Sequence, residues 1–372
     1  MITVIGAGLA GATVAQQLAW LGEDDIDVFD ERPHVGGNAH TYRDEHTDVM
    51  VHAYGPHIFH TNDQKIWNYV RQFATFYPYV QRTKATAGGK VYSWPVNLHT
   101  INQVWDTNLS PSEASATLRA VTDGIDWEPQ NFRDQVIKTI GPVLYKKFFE
   151  GYTKKQWGRD PFELPASIAK RIPIRLNYDD NAYEHKYQGI PTDGYTRMVE
   201  NMLDHPRIKV HLGKKMTHMG TLLSEGHIFN SAAIDEWYDY AFGPLAYRTL
   251  DLETILDLTT TDYQGCAVMN HCDLSTPYTR STEHRHFAPW EKCHKGTVVT
   301  REWSRDWRKG DIRYYPVPLA TPNGTLERYQ EIARRDTGIT FIGRLGTYQY
   351  LDMDQTISAS IQAARQYLRR GA

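Results

Sequence analysis

The strongest constraint on this chain lies at its start, where a short apolar run, Ile2-Thr3-Val4-Ile5, ends in Gly6-Ala7-Gly8-Leu9-Ala10-Gly11. Residues 12–21 then read as a helix and Ile26-Asp27-Val28-Phe29-Asp30 as a second strand. Strand, glycine turn, helix and strand thus follow one another within about 30 residues, the context that makes a G-x-G-x-x-G pattern specific for a dinucleotide. Gly6 permits the tight turn, Gly8 lets the backbone approach a pyrophosphate, and Gly11 lets the helix pack close to the sheet. Leu9 shares this turn as a cofactor-binding candidate. Asp30, 19 residues after Gly11, ends the second strand, where a carboxylate can accept the ribose hydroxyls of an adenosine. An ordinary cap or turn acid is the bland alternative.

The next segment narrows the cofactor. Asp30-Glu31-Arg32-Pro33-His34-Val35-Gly36-Gly37-Asn38 is an acid followed closely by a glycine pair, and a pyridine-nucleotide dehydrogenase has no general need for that pair. In many flavoproteins such a loop passes beside the FAD pyrophosphate and ring system, where side chains would collide. FAD is therefore expected over NAD as the tightly held cofactor, with Glu31, Gly37 and Asn38 among its contacts.

Composition sets outer limits. A chain of 372 residues has room for about two domains around a large core. The net charge of -3, from 41 basic and 44 acidic residues, gives no overall field for nucleic acid or an anionic membrane, so any anion must be bound locally. Aromatics make up 12% of the chain, with 23 Tyr and 10 Trp, which suits pockets that stack planar rings, although core packing accounts for most of them. Cys266, Cys272 and Cys293 lack CxxC spacing and indicate neither a disulfide framework nor a metal site. The chain runs into its first strand without a basic leader, and no stretch approaches about 18 consecutive apolar residues. A cytoplasmic protein without membrane insertion is the expectation.

Residues 97–187 change character, with helical candidates at 111–122 and 131–151. Residues 265–317 carry β-type runs, among them 266–270 and 296–302, punctuated by Pro and Gly, and predict an antiparallel sheet. Near the end, Ile339-Thr340-Phe341-Ile342 enters the turn Gly343-Arg344, and residues 353–369 read as a terminal helix.

Several further segments carry a resemblance. They are His52-Ala53-Tyr54-Gly55-Pro56-His57-Ile58-Phe59-His60-Thr61, Gly151-Tyr152-Thr153-Lys154-Lys155-Gln156-Trp157-Gly158 and Lys170-Arg171-Ile172-Pro173-Ile174-Arg175. With them go Tyr187-Gln188-Gly189-Ile190-Pro191, Pro277-Tyr278-Thr279-Arg280 with Glu283-His284, Tyr314-Tyr315-Pro316-Val317, and Gly343-Arg344-Leu345. In order and over essentially the whole chain, they resemble signature segments of the UDP-galactopyranose mutases.

That resemblance implies an α/β protein: a Rossmann-like FAD-binding domain (1–78, 188–240 and 325–372), an inserted helical substrate-binding domain with a mobile loop (98–187), and an antiparallel sheet domain (79–97 and 241–324). It implies an isomerase that interconverts UDP-galactopyranose and UDP-galactofuranose, with N5 of reduced FAD attacking the anomeric carbon and UDP departing. NAD(P)H or another reductant primes the flavin. A homodimer or larger homo-oligomer feeding cell-surface polysaccharide synthesis is implied as well.

By the same resemblance, Arg171, Arg248 and Arg280 hold the departing diphosphate, and Tyr314 or Tyr315 with Tyr350 donate to it. Tyr152 stacks on the uracil, with Phe148 and Phe149 beside it and Gln103 at the base edge. Trp157 lies against the ribose, and Asn270 belongs to the substrate set. His57 and Ile58 lie against the flavin, as do Arg344, Tyr350, Asp352 and Met353, the last two opening the terminal helix. Spacing alone would make Phe148, Phe149, Tyr152 and Trp157 a helix core stripe, and Asp352 a simple cap.

Five positions depart from the family pattern. Pro56 stands where Ala is usual and stiffens the histidine turn. Arg82 takes the place of an Asn that touches substrate, and Ala182 aligns where a Tyr usually stands. Arg313 adds positive charge beside the phosphate donors, and Ser231 lies in a run lacking the usual Thr-Gly-Pro. They leave open a family member acting on another nucleotide sugar, such as an N-acetylated or deoxy hexose. An FAD oxidoreductase of the amine-oxidase type and a catalytically silent flavin protein also remain.

Overall fold

The structure, a computed structural model, describes residues 1–169, 173–218, 226–291 and 295–371. A five-stranded sheet organises the nucleotide-binding part, in the order Ile208–His211, Ile26–Phe29, Ile2–Ile5, His227–Asn230, Ile339–Phe341. Every neighbouring pair is parallel, with Ile2 facing Ile26 on one side and His227 on the other. Strands buried on both faces need continuous apolar runs, and Ile2, Val4, Ile26, Val28 and Phe229 are all buried. The helix Leu9–Trp20 packs between the helices Gly194–Leu203 and Met353–Gly371. Gly11 makes that packing possible, since a Cβ there would lie 1.9 Å from the Gly6 carbonyl oxygen.

The second sheet has seven strands: Tyr315–Pro316, Tyr247–Asp257, Thr297–Asp306, Arg280–Glu283, Val268–His271, Thr83–Ala87 and Lys90–Trp94. It is antiparallel except at one junction, where Val268–His271 runs parallel to Thr83–Ala87. The strands expected at 266–270 and 296–302 are found, shifted to Val268–His271 and Thr297–Asp306.

The helical candidates lie between these layers in sequence. Pro111–Thr122 forms as expected, with a capping box between Ser110 and Glu113 and Pro111 opening the first turn. The second candidate is capped by Asn131, breaks at Gly141 (φ +79), continues as a wide π-type turn over Tyr145–Glu150, and ends as the helix Gly151–Trp157. Its inward face, including Phe132, Val136, Ile140 and Leu144, closes a core with Leu98 and Ile101. Among the described residues no helix is long and apolar enough to cross a membrane.

Candidate active site

The glycine turn and the glycine pair meet face to face. A Cβ on Gly37 would lie 3.1 Å from Gly8 Cα, and one on Gly8 would lie 3.5 Å from Gly37 Cα. Between and around them opens a cleft of about 420 Å³, bounded by Gly6, Asp30, His57, Arg344 and Met353 as well as the two glycines. Gly8 is the N-cap of the helix Leu9–Trp20, and no side chain caps it. The first helical amides are thus left for an anion.

Asp30 binds the turn itself: its two carboxylate oxygens accept the Ala7 N–H at 2.7 Å and the Arg32 N–H at 2.9 Å. Each oxygen retains a lone pair for a ribose hydroxyl. Glu31 is exposed and ion-paired to Lys215. Asn38 is fixed at both ends, accepting from Arg32 Nη2 and donating to the Arg313 carbonyl, while Arg32 Nη1 is buried beside the cleft without a hydrogen-bond partner among the described residues. Gly cradle, uncapped helix start and orphaned guanidinium nitrogen all fit a bound dinucleotide. Ser231, outside the usual pattern, lies against Gly6 and donates to the Ile5 carbonyl at 2.8 Å.

His57 projects into this cleft from the turn at Gly55 (φ +94), with Ile58 buried behind it. Its Nδ1 lies 2.9 Å from the Gly55 carbonyl oxygen; a carbonyl can only accept, so the proton sits on Nδ1. Burial pushes its pKa down to about 4, which keeps the ring neutral. Met353 opens the last helix at the cleft edge, and the Asp352 carbonyl accepts from Thr356 in its first turn.

A cationic, phenolic wall stands beside the cleft. Arg344 donates to the Tyr314 and Leu351 carbonyls at 3.1 and 2.7 Å, and its guanidinium lies over the rings of Tyr350 and Tyr315. Tyr315 and Tyr350 stack at 5.8 Å. Farther along, Arg280 contacts Asn270 Oδ1 through Nε at 3.4 Å and Glu302 through Nη1 at 3.5 Å. Glu302 holds the Arg280 cation firmly protonated, and Tyr152 and Tyr315 stand within its field. Burial raises the phenol pKa values of Tyr152, Tyr314 and Tyr315, so all three remain hydrogen-bond donors.

The structure corrects several expectations. Beside Ala182, Tyr183 stacks on His60 at 3.8 Å and shares the field of Arg280, Tyr350 and Asp352. Neither Tyr183 nor His60 was singled out by sequence, although His60 lies within a quoted segment. Arg313 adds no free charge, because Glu236 takes its Nη1 at 2.6 Å and Tyr240 its Nη2 at 2.9 Å. Phe148 and Phe149 are 1% and 4% exposed and pack against Tyr92 and Trp94, which is the core reading of the aromatic stripe. Gln103 donates to the Val91 carbonyl, and Arg82 is paired with Asp180.

Trp157 packs on the helical core. Arg248 is buried, with its fork spent on Asp306 at 2.6 Å, Ser304 and the Gln156 carbonyl. Arg171 lies outside the described residues. Lys155, quoted above without a role, donates through Nζ to the carbonyls of His271, Asp273, Thr276 and Tyr278.

Comparison with known proteins agrees with this geometry. Residues 147–350 match the family model described as UDP-galactopyranose mutase, and residues 4–73 match one described as an NAD(P)-binding Rossmann-like domain. The dTDP-fucopyranose mutase of Escherichia coli is 51% identical over 375 residues, covering 99% of this chain and 98% of the relative. A Klebsiella pneumoniae protein named "Probable UDP-galactopyranose mutase" is 49% identical over 371 residues, covering 99% and 94%. A crystal structure of reduced UDP-galactopyranose mutase aligns with a TM-score of 0.76 over 99% of this chain and 95% of that one; at 15% identity it speaks for the fold alone. With its dinucleotide cleft, its wall of arginines and phenols and these relatives, the chain belongs to the UDP-galactopyranose mutase family.

Proposed function

We propose that this protein interconverts the pyranose and furanose forms of a hexose carried on a pyrimidine nucleoside diphosphate, with UDP-galactose as the leading substrate and FAD as cofactor. The single observation that carries this reading is the juxtaposition of a cleft fit for a dinucleotide with the Arg280, Tyr152, Tyr315, Tyr350 and Arg344 wall. Gly8, Gly37, Asp30 and the amides after Gly8 would hold the cofactor. Bound and reduced, by NAD(P)H or another donor, FAD supplies a nucleophilic nitrogen for the anomeric carbon.

The protein's own groups do the rest. Arg280 carries a permanent charge that meets the diphosphate as it separates from the sugar, and the phenols of Tyr315 and Tyr350 add donors placed in advance. Tyr152 offers a ring to the base. His57, neutral with its proton on Nδ1, presents Nε2 as an acceptor and adds no further cation to the cleft.

A second reading has its own support. The relative at 51% identity is named for dTDP-fucopyranose, a deoxy sugar, and Arg82 stands where substrate contact was expected. The deciding experiment is anaerobic incubation of dithionite-reduced protein with UDP-galactopyranose and, separately, with dTDP-fucopyranose, followed by chromatography. Furanose product from the first, dependent on reduction, supports the proposal. Better turnover of the second reassigns the sugar, and equal activity with oxidised flavin sinks the chemistry.

A further inference from the structure

Behind the wall that carries Tyr240 lies a second cavity of about 470 Å³, a volume within the usual range for small-molecule sites. Leu245, Ala246, Tyr247 and Trp307 give it an apolar floor, while Arg159, Arg308 and Lys309 stand on its rim. Among the described residues none of these three cations pairs with a carboxylate. The acid on the rim, Asp306, is already bound to Arg248 at 2.6 Å. Three exposed cations therefore stand around this floor, Lys309 over the Tyr240 ring and Arg308 within the field of Asp311, in a chain of net charge -3.

The partition between the two cavities is itself unusual. Tyr240 and Lys309 line both. Asp239 and Tyr240 hold successive left-handed backbone conformations, φ +49 and +56, a state that is uncommon for tyrosine and persists only where the surroundings over-determine it. Here the Tyr240 N–H donates to the Asp235 carbonyl at 2.8 Å and its hydroxyl accepts from Arg313.

We infer that this cavity is a second, non-catalytic binding site for a nucleoside diphosphate. The planar base lies against Trp307, on which Arg313 already stacks at 4.0 Å, and the diphosphate meets Arg159, Arg308 and Lys309. A free inorganic anion would leave the apolar floor unused.

Calorimetric titration of the flavin-loaded protein with UDP, carried into the millimolar range, tests the site. Two sites per chain are expected. Arg308→Glu should weaken one by more than about tenfold while flavin content and basal turnover stay as they were, and Arg280→Ala should remove the other. A single site in the unmodified protein, or two sites insensitive to Arg308→Glu, overturns the inference. Retention of both sites in Arg280→Ala would instead count against the diphosphate role of Arg280 proposed above, so the two failures are distinct.

Discussion

Gly8 and Gly37 approach so closely that a methyl group on Gly37 would sit 3.1 Å from the Gly8 Cα. Each therefore keeps the other's side of the cleft clear, but neither is needed for the sheet behind it. Gly8 has φ −80 and ψ −173, a conformation open to any residue. Gly8→Ala should fold normally, with an unchanged apoprotein melting temperature, and should lose most of its bound flavin, read from the absorbance ratio of the purified protein. Gly11→Ala should behave differently. Its Cβ would lie 1.9 Å from the Gly6 carbonyl oxygen, an overlap that forces backbone movement and costs about 1–3 kcal/mol or more, so soluble yield and melting temperature should fall first.

Arg280 lies between Asn270, Glu302 and Tyr152, whereas the flavin cleft is built from other segments. Arg280→Ala should retain the yellow cofactor and lose about 10²–10³-fold in turnover, the scale for removing one preorganised donor from a developing anion. Colourless protein would move this residue from diphosphate to flavin.

How much of this was legible in the sequence depended on range. The dinucleotide unit was readable because its glycines act within one turn and one helix, and the helix Pro111–Thr122 because Ser110, Pro111 and Glu113 are adjacent cap signals. The break at Gly141 carried a marker in the Pro142 that follows it, since a residue before proline is pushed out of the helical region, yet the apolar period led to one helix being expected across it. The pairing of Arg313 with Glu236, 77 residues apart, is set by tertiary packing, as is the spending of Arg248 on Asp306. Tyr183 was not singled out, because its stacking on His60 joins segments far apart in the chain.

Stability should fall in mild acid. Burial pushes the pKa values of His52, His57 and His284 below the ordinary 6.5, to about 4 for His57 and about 3 for His284. As pH drops through 6.5 the unfolded chain takes up these protons and the folded chain does not. The unfolding free energy therefore decreases from about pH 6.5 to about pH 4, by roughly 1.4 kcal/mol per pH unit for each histidine. His286 works against this trend, because Glu283 and Asp262 outweigh its burial and raise its pKa. Urea unfolding at pH 7 and pH 5 measures the slope, and a flat profile would show that these rings are not held neutral.

Lys155 joins the helix that carries Tyr152 to the segment between Asn270 and Arg280. Its ammonium shares three N–H groups among four carbonyls, those of His271, Asp273, Thr276 and Tyr278, at 2.7–3.0 Å. No neutral side chain of similar length can satisfy four acceptors at once. Lys155→Met should leave them unpaired at a cost of about 1–3 kcal/mol for the buried ones. The same change frees Tyr152 to shift against Arg280, so KM for the nucleotide sugar should rise while flavin content stays constant. Arginine should rescue only in part, because its planar fork does not match four oxygens gathered around one point. A Lys155→Met variant that lost stability with KM unchanged would mark Lys155 as a fastening of the fold alone, whereas a raised KM in the still-folded fraction would show that it sets the distance between the ring that receives the base and the cation that receives the diphosphate.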